Sequence, residues 1–278
     1  RTQDGRYALV YNGEMYNFQR LRDALEQRGV RFRSSGDTEV VLYALAEWGT
    51  DALRRFNGMF ALALYDSLEK RLLIARDHAG IKPLYHMQTA QGLVFASQYD
   101  QILRHPWSHA FKVSSSALGM YLQQGYIPAP HALLENTFML EPGTWLEINA
   151  SGHRSRGTFF TFPQYQTPDL SGDAAYEAVN AAVTDAVKRQ MISDVPLGTF
   201  LSGGIDSPLV AAKMRALHAG RVQAFTIGTN GDGLDESTHA ARYASALGLE
   251  HTIEHVRPDQ ALGMLDDVIA SCGEPFAD

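Results

Sequence analysis

The sequence predicts two domains of different class: an α+β domain followed by an α/β domain built on a parallel sheet. Three observations carry this reading. In the first half, short apolar runs are separated by turn-like stretches, the pattern of an antiparallel sheet with helices between its strands. From residue 195 onward, strand-like and helix-like segments alternate, which implies a parallel sheet covered on both sides by helices. Between the two, residues 157–172 contain Gly157, Pro163, Pro168 and Gly172 and lack helical periodicity, so they read as a linker.

In order along the chain, residues 7–11 form a strand that ends in Asn12-Gly13. Asn17 is placed to cap a helix whose apolar residues Phe18, Leu21 and Leu25 share one face, with Gly29 as its stop. A second helix runs from about Thr38 to Trp48 and closes at Gly49. Strands follow at 59–65, 72–76 and 93–96, and the turn Glu141-Pro142-Gly143 leads into another at 145–148. Residues 173–191 make an amphipathic helix with Val179, Val183, Ala186, Val187 and Met191 along one stripe. Then come strand 195–201, helix 208–217, strand 222–227, helix 236–247 stopped by Gly248, strand 252–256 and helix 258–270.

A chain of 278 residues has room for two cores, and its 45% hydrophobic and 20% charged residues are ordinary for a globular protein. The net charge of −7, without a run of Lys or Arg, argues against a nucleic-acid surface. No apolar stretch approaches the length of a membrane span, and the start does not read as a signal peptide. A single cysteine, Cys272, excludes an internal disulfide framework, fits a reducing cytoplasm and reads as a small packing residue. Asn149-Ala150-Ser151 spells a glycosylation sequon but reads as a turn. The chain starts at Arg1 and stops at Asp278 within what reads as a continuing segment, so a fragment cut at both ends is expected.

The most informative stretch is Leu201-Ser202-Gly203-Gly204-Ile205-Asp206-Ser207, which joins a strand to a helix. Such a loop aims backbone N–H groups and a helix N-terminus at an anion, and phosphate is the usual guest. No Lys follows the glycines, which excludes the Walker-type loop. The heptapeptide resembles the pyrophosphate loop of the N-type ATP pyrophosphatases, which cleave ATP between its α- and β-phosphates.

In the first half, Asn12-Gly13-Glu14-Met15-Tyr16-Asn17 and Ser35-Gly36-Asp37-Thr38-Glu39 together resemble the glutaminase domain of class II glutamine amidotransferases. With the pyrophosphate loop, and with further echoes at residues 58–61, 76–85 and 125–130, the whole chain resembles the glutamine-hydrolysing asparagine synthetases. That resemblance implies an Ntn-hydrolase-like αββα sandwich over residues 1–160. Over residues 173–278 it implies an adenine-nucleotide-hydrolase-like (HUP-type) parallel-sheet domain. It implies an oxyanion hole formed by the Asn12 side chain and the Gly13 N–H, with Glu14 and Asp37 joining them in binding glutamine. Ser202, Gly203, Gly204, Asp206 and Ser207 would hold the leaving pyrophosphate, Leu201 and Ile227 the adenosine, and Asp206 a magnesium ion. The implied reaction uses ATP, Mg2+, glutamine and a carboxylate acceptor such as aspartate through an acyl-adenylate, and the family allows a homodimer. From the residues alone, Asn12-Gly13 also reads as a hairpin turn, Asp37 as a helix N-cap, and Leu201 and Ile227 as strand core.

The sequence departs from the family pattern at several points. The family nucleophile is an N-terminal cysteine, and here no Cys precedes position 272, so the chain as given is not expected to hydrolyse glutamine. An arginine that clamps the glutamine carboxylate normally lies upstream of the Asn-Gly pair and is also absent. Pro208 stands where the family usually has Ser, and the second nucleotide motif, Ser-Gly-Glu-Gly-x-Asp-Glu, is absent. Other readings are an amidotransferase with a sugar, peptide or β-lactam-precursor acceptor, a transfer-RNA-modifying pyrophosphatase, and a non-catalytic nucleotide-binding relative. His251-Thr252-Ile253-Glu254-His255 matches a zinc-peptidase pattern, but its β-branched residues and Pro258 favour a strand. Gly228, Gly231 and Gly233 have the wrong spacing for a dinucleotide fingerprint and read as a loop.

Overall fold

The run Gly58–Asp66 is apolar on both faces, which demands a partner layer on each side. In the computed structural model the described residues are 1–278 other than 168, 194, 219, 230–234 and 278, without the side chains of 258 and 261. They divide into two compact units, Arg1–Gln164 with Ile269–Asp278, and Tyr165–Val268.

In the first unit, β1 (Tyr7–Met15), β2 (Gly58–Asp66) and β3 (Arg71–Arg76) form an antiparallel sheet with two later strands. A second antiparallel sheet contains β4 (Tyr85–Thr89), β5 (Gly92–Ala96) and β6 (Thr137–Met139), in the order β5-β4-β6. Strands β7 (Thr144–Ile148) and β8 (Arg154–Thr158) complete the first sheet in the order β1-β2-β3-β7-β8. Phe60, Leu62 and Leu64 of β2 face α1 (Phe18–Glu26) and α2 (Asp37–Trp48), which contribute Leu21, Leu25, Val40, Val41 and Leu45 to one core. Ala61 and Ala63, on the opposite face, meet the second sheet at Leu84, Leu93 and Phe95. The far side of that sheet packs Tyr85 and Met87 against Tyr99 and Ile102 of α3 (Tyr99–Arg104). The layers are therefore helix, sheet, sheet, helix. Helix α4 (Ser115–Gln124) buries little beyond Ala117. Residues 273–277 also belong here: the Glu274 carboxylate accepts from Leu133 N at 2.7 Å, and Ala277 N donates to Gly125 O.

Several sequence expectations need correction in this unit. Strand β1 does not stop at residue 11 but continues to Met15, because β2 pairs with it throughout, Asn12 opposite Ala61 and Gly13 opposite Phe60. Asn12-Gly13 is therefore a strand segment and not a hairpin turn. Asn17 occupies the N-cap position of α1, but its side chain bonds Asn57 N and Arg55 O instead of the helix. Gly157 lies in β8, paired with Trp145, and Phe159 is core, so neither is linker; Pro168 lies outside the described residues.

In the second unit, α5 (Gly172–Gln190) precedes β9 (Gly198–Phe200), α6 (Asp206–Leu217), β10 (Gln223–Thr229), α7 (Ser237–Leu247) and β11 (Glu250–Val256). The strands are parallel, in the order β11-β10-β9. Only three residues of the expected 195–201 strand enter the ladder, although Leu201 N adds one bond to Phe225 O. Small residues, Ala211, Ala224, Ala240 and Ala244, pack with Leu201 where α6 and α7 lie on the sheet. Val187 of α5 packs with Met214 and Val222, while Val179 of the expected stripe is exposed.

The sheet is not covered on both sides within the described residues. Alternating residues Ala224 and Thr226 are buried, whereas Phe225 and Ile227, with Phe200 beside them, are exposed. The cause is topological. Right-handed crossovers from β9 to β10 and from β10 to β11 advance in one direction, so α6 and α7 land on the same face. The expected helix 258–270 is two helices, α8 (Pro258–Gly263) and α9 (Leu265–Cys272), and Cys272 is exposed at the end of the second. Gly228 lies inside β10, not in a loop; Gly231 and Gly233 lie outside the described residues. No described helix is long and apolar enough to cross a membrane.

His86 is 6% exposed and stacks on Phe138 at 5.4 Å. Burial, with the Arg154 charge adding to it, pushes its imidazole from 6.5 down to about 4. The folded value lies below the unfolded one, so between the two values the unfolded chain binds the extra proton. Stability contributed by neutral His86 is full above pH 6.5 and is lost as pH falls toward 4. Urea unfolding of the first unit at pH 4.5 against pH 7 reads this as a loss of about 2–3 kcal/mol, largely absent in His86→Gln.

Candidate functional site

The candidate site residues fall at two loci, one in each unit. In the first, β1 is the edge strand of its sheet. Phe60 N donates to Asp77 Oδ2 at 3.1 Å and Phe60 O accepts from Asp77 N at 2.8 Å, so the backbone of Phe60 is turned toward β3. Gly13 is the register partner of Phe60. The alternation of an antiparallel ladder therefore turns the Gly13 N–H away from β2, toward the open edge. Met15 N lies on the same edge two residues on, about 7 Å away, and donates to Asp37 Oδ2 at 2.8 Å.

Asp37 is the first residue of α2, with Gly36 at the N-cap, so the N-cap reading of Asp37 is corrected. Its carboxylate turns to β1 and also accepts from Tyr11 OH at 3.0 Å. Burial, reinforced by that carboxylate, raises the Tyr11 phenol and keeps it a donor. Asp37 and Gly13 are thus brought to one strand edge. The Asn12 side chain projects from the other face of β1 from Tyr11, and its Nδ2 donates to Ser97 Oγ at 3.1 Å. It lines a cleft of about 110 Å³ with Val10, Ala61, Phe95 and Ser97. Glu14 is exposed, on the same face as Asn12 by strand alternation. Glycine is required at position 13 by close approach, because a Cβ there would lie 2.2 Å from Met59 O.

The residue that sequence reasoning left without a role is Asp77. It is 1% exposed, and its two oxygens accept from the N–H groups of Phe60, Ala79, Ile81 and Lys82 at 2.9–3.1 Å. Neighbouring Arg76 donates to the carbonyls of Gly80, Lys82 and Leu140. The Arg-Asp pair was visible as part of the 76–85 segment, but nothing in the sequence said that it reaches Phe60. It holds the strand against which Gly13 is registered.

In the second unit, the loop 201–207 leaves the C-terminal end of β9 and enters α6. Ser202 N donates to Ser207 Oγ at 2.8 Å, the two hydroxyls lie 2.8 Å apart, and Gly204 N donates to Ser202 Oγ at 3.2 Å. Gly203 N donates to Glu236 Oε2 at 3.0 Å. Three successive N–H groups are thus satisfied by side-chain oxygens, which can rotate away, and not by fixed carbonyls. Asp206 is exposed as the first residue of α6, and Pro208 is buried in its first turn. Leu201 is core: its N–H bonds Phe225 O, and its C=O accepts from Thr226 Oγ1 at 2.6 Å. Ile227 is exposed on the uncovered sheet face.

Residues 1–160 match the glutamine amidotransferase domain family, and residues 178–278 match the asparagine synthase family. The chain belongs to the glutamine-hydrolysing asparagine synthetase family. A putative asparagine synthetase (glutamine-hydrolysing) of Mycobacterium tuberculosis is 36% identical over 98% of this chain and 43% of its own length. Asparagine synthetase (glutamine-hydrolysing) 1 of Bacillus subtilis is 31% identical over 99% of this chain and 43% of its own. Asparagine synthetase B of Escherichia coli is 30% identical over 96% and 45%. The chain spans less than half the length of these curated relatives.

The strand His251–His255 lies in β11, which spaces its two histidines about 13 Å apart, too far to share one zinc ion. No group of three or more His, Cys, Asp or Glu that could hold a metal ion occurs among the described residues.

Asp77→Ala would leave four N–H groups without their acceptor, and the expected cost is about 3 kcal/mol or more. Urea unfolding checks the magnitude. Hydrogen exchange at Phe60 N–H checks the location, with faster exchange there than at Leu64.

Proposed function

We propose that this chain is the glutaminase-like and ATP-pyrophosphatase-like part of an enzyme that makes an amide from a carboxylate, ATP and glutamine, with aspartate as the acceptor and asparagine as the product. Residues 1–160 are the glutaminase domain, an Ntn-hydrolase-type sandwich, and residues 173–278 the HUP-type nucleotide domain. The observation that carries the reading is the 201–207 loop: successive N–H groups at a parallel-strand end, held open by movable side-chain oxygens, at the start of a helix.

In this reading the triphosphate takes the N–H groups of Gly203 and Gly204 and the hydroxyls of Ser202 and Ser207, replacing their bonds to one another. Oxygen for oxygen, the exchange loses few hydrogen bonds. Asp206, exposed beside the loop, fits a magnesium ion that takes one or two carboxylates and completes its shell from phosphate and water. That ion would neutralise charge on the leaving pyrophosphate. Leu201 fixes the strand end from within the core, and adenosine lies over that end of the sheet against Ile227.

At the first locus, the outward Gly13 N–H and the Asn12 amide are the oxyanion donors for glutamine hydrolysis. Asn12 first releases Ser97. Asp37 and Glu14 accept from the glutamine α-ammonium. Asp37 is pinned by Met15 N and Tyr11 OH, so its position is set before substrate arrives. The chain's one cysteine is Cys272, so none of the residues described at the first locus is the cysteine nucleophile of this chemistry.

The test is pyrophosphate release by the protein carrying this chain, given ATP, Mg2+, glutamine and a panel of carboxylates. Release with aspartate is expected, and Asp206→Ala should lower it about 100-fold or more without shifting the thermal melt. Release with a different carboxylate alone would reassign the acceptor, and unchanged release in Asp206→Ala would refute that residue's role.

A further inference from the structure

The Gly203 N–H, central to any phosphate cradle in this loop, already holds an anion that belongs to the protein. Glu236 Oε2 accepts from it at 3.0 Å. The contact is built by the start of α7. Asp235 accepts from Ser237 N and Ser237 Oγ, both at 3.0 Å, which fixes the turn into the helix. Those bonds hold the Asp235 carboxyl below its usual range. Glu236 follows at the N-cap position, yet its side chain does not cap its own helix; it reaches across to the loop. The packing behind the loop is tight, since a Cβ on Gly203 would lie 3.0 Å from His239 Cβ and 3.2 Å from Glu236 Cβ. The loop before α6 thus meets the first turn of α7 at Gly203, and the α7 N-terminus favours negative charge there.

We propose that Glu236 is a resident anion that competes with phosphate for the loop, and so sets how strongly the loop binds polyphosphates. This rests on the phosphate-loop reading given above. A carboxylate at the Gly203 N–H mimics one phosphate oxygen in the ligand-free state. It keeps the loop in its phosphate-ready form, and it must leave before a phosphate can take the same donor. Its negative charge also opposes an incoming polyanion at short range, most strongly when no cation screens the two. Asp206 alone does not do this, since it lies on the helix side of the loop and no bond from it to a loop N–H is seen among the described residues.

Binding of inorganic pyrophosphate to the 278-residue chain, measured by titration calorimetry in EDTA, separates the outcomes. Wild type is compared with Glu236→Gln, Glu236→Ala and Ser207→Ala. The expected result is that both Glu236 variants bind about three- to ten-fold more tightly than wild type, the effect of removing one exposed charged competitor. Ser207→Ala should bind more weakly. Amide hydrogen exchange in the ligand-free proteins gives a reading without any ligand: Gly203 N–H should exchange faster in Glu236→Ala than in wild type. Wild-type binding with equal or weaker affinity in the Glu236 variants would overturn the competition and leave the phosphate loop intact. Weaker binding in those variants only when Mg2+ replaces EDTA would overturn it in favour of a metal-holding role. Loss of binding in all four proteins would remove the phosphate loop itself, and the competition with it.

Discussion

The hydroxyl of Ser207 is the contact on which the chemistry proposed for the second unit depends. It lies 2.8 Å from Ser202 N and 2.8 Å from Ser202 Oγ, and so closes the loop back onto the first turn of α6. The N–H groups of residues 202–204 are each held by an oxygen on a side chain, Ser207, Glu236 and Ser202 in turn. Backbone N–H groups away from water need acceptors, but they do not require any particular one. In the proposed reading, a phosphate replaces the loop's internal partners oxygen for oxygen. The rest of the unit fixes where this happens. Leu201 is locked by Phe225 O and Thr226 Oγ1, and the alanines of α6 and α7 allow both helices to lie close on the sheet.

The first unit solves its positioning problem differently. Its functional candidates lie on an edge strand, which is held from one side only. The Arg76-Asp77 pair compensates by fixing the neighbouring strand: Asp77 takes both backbone groups of Phe60 into its own turn. Gly13 is then registered against a strand that cannot slide, and its N–H faces outward. Asp37 secures the end of the same edge at Met15. Arg76 is itself buried, and its lowered affinity for the proton comes first from that burial. Three carbonyls meet its donors, so the charge is solvated by the turn it organises.

Elements with a clear period were legible in the sequence. Helix α2 was read to within a residue at its start, as was α7, and β2, β3 and β11 were found with ends shifted by one or two residues. The strands that were missed lack the signal for physical reasons. β4, Tyr85-His86-Met87-Gln88-Thr89, buries both faces at its start, so no alternation shows. β8, Arg154-Ser155-Arg156-Gly157-Thr158, is polar and forms because β7 offers it an edge. At Asn12-Gly13 the hairpin signal lost to pairing with β2. The candidate site residues stood out as motifs, but their hydrogen-bond partners did not. Asp37 reaching Tyr11 and Met15, Asp77 reaching Phe60, and Glu236 reaching Gly203 all join segments far apart in the chain, and no local pattern encodes them.

The most direct measurement of the central claim is a crystal structure of this chain with α,β-methylene-ATP and Mg2+. The account predicts β- and γ-phosphate oxygens within hydrogen-bond distance of the Gly203 and Gly204 N–H groups, with the Ser202–Ser207 hydroxyl pair turned to the phosphate. A triphosphate bound away from this loop, with the 202–207 bonds unchanged, would contradict it.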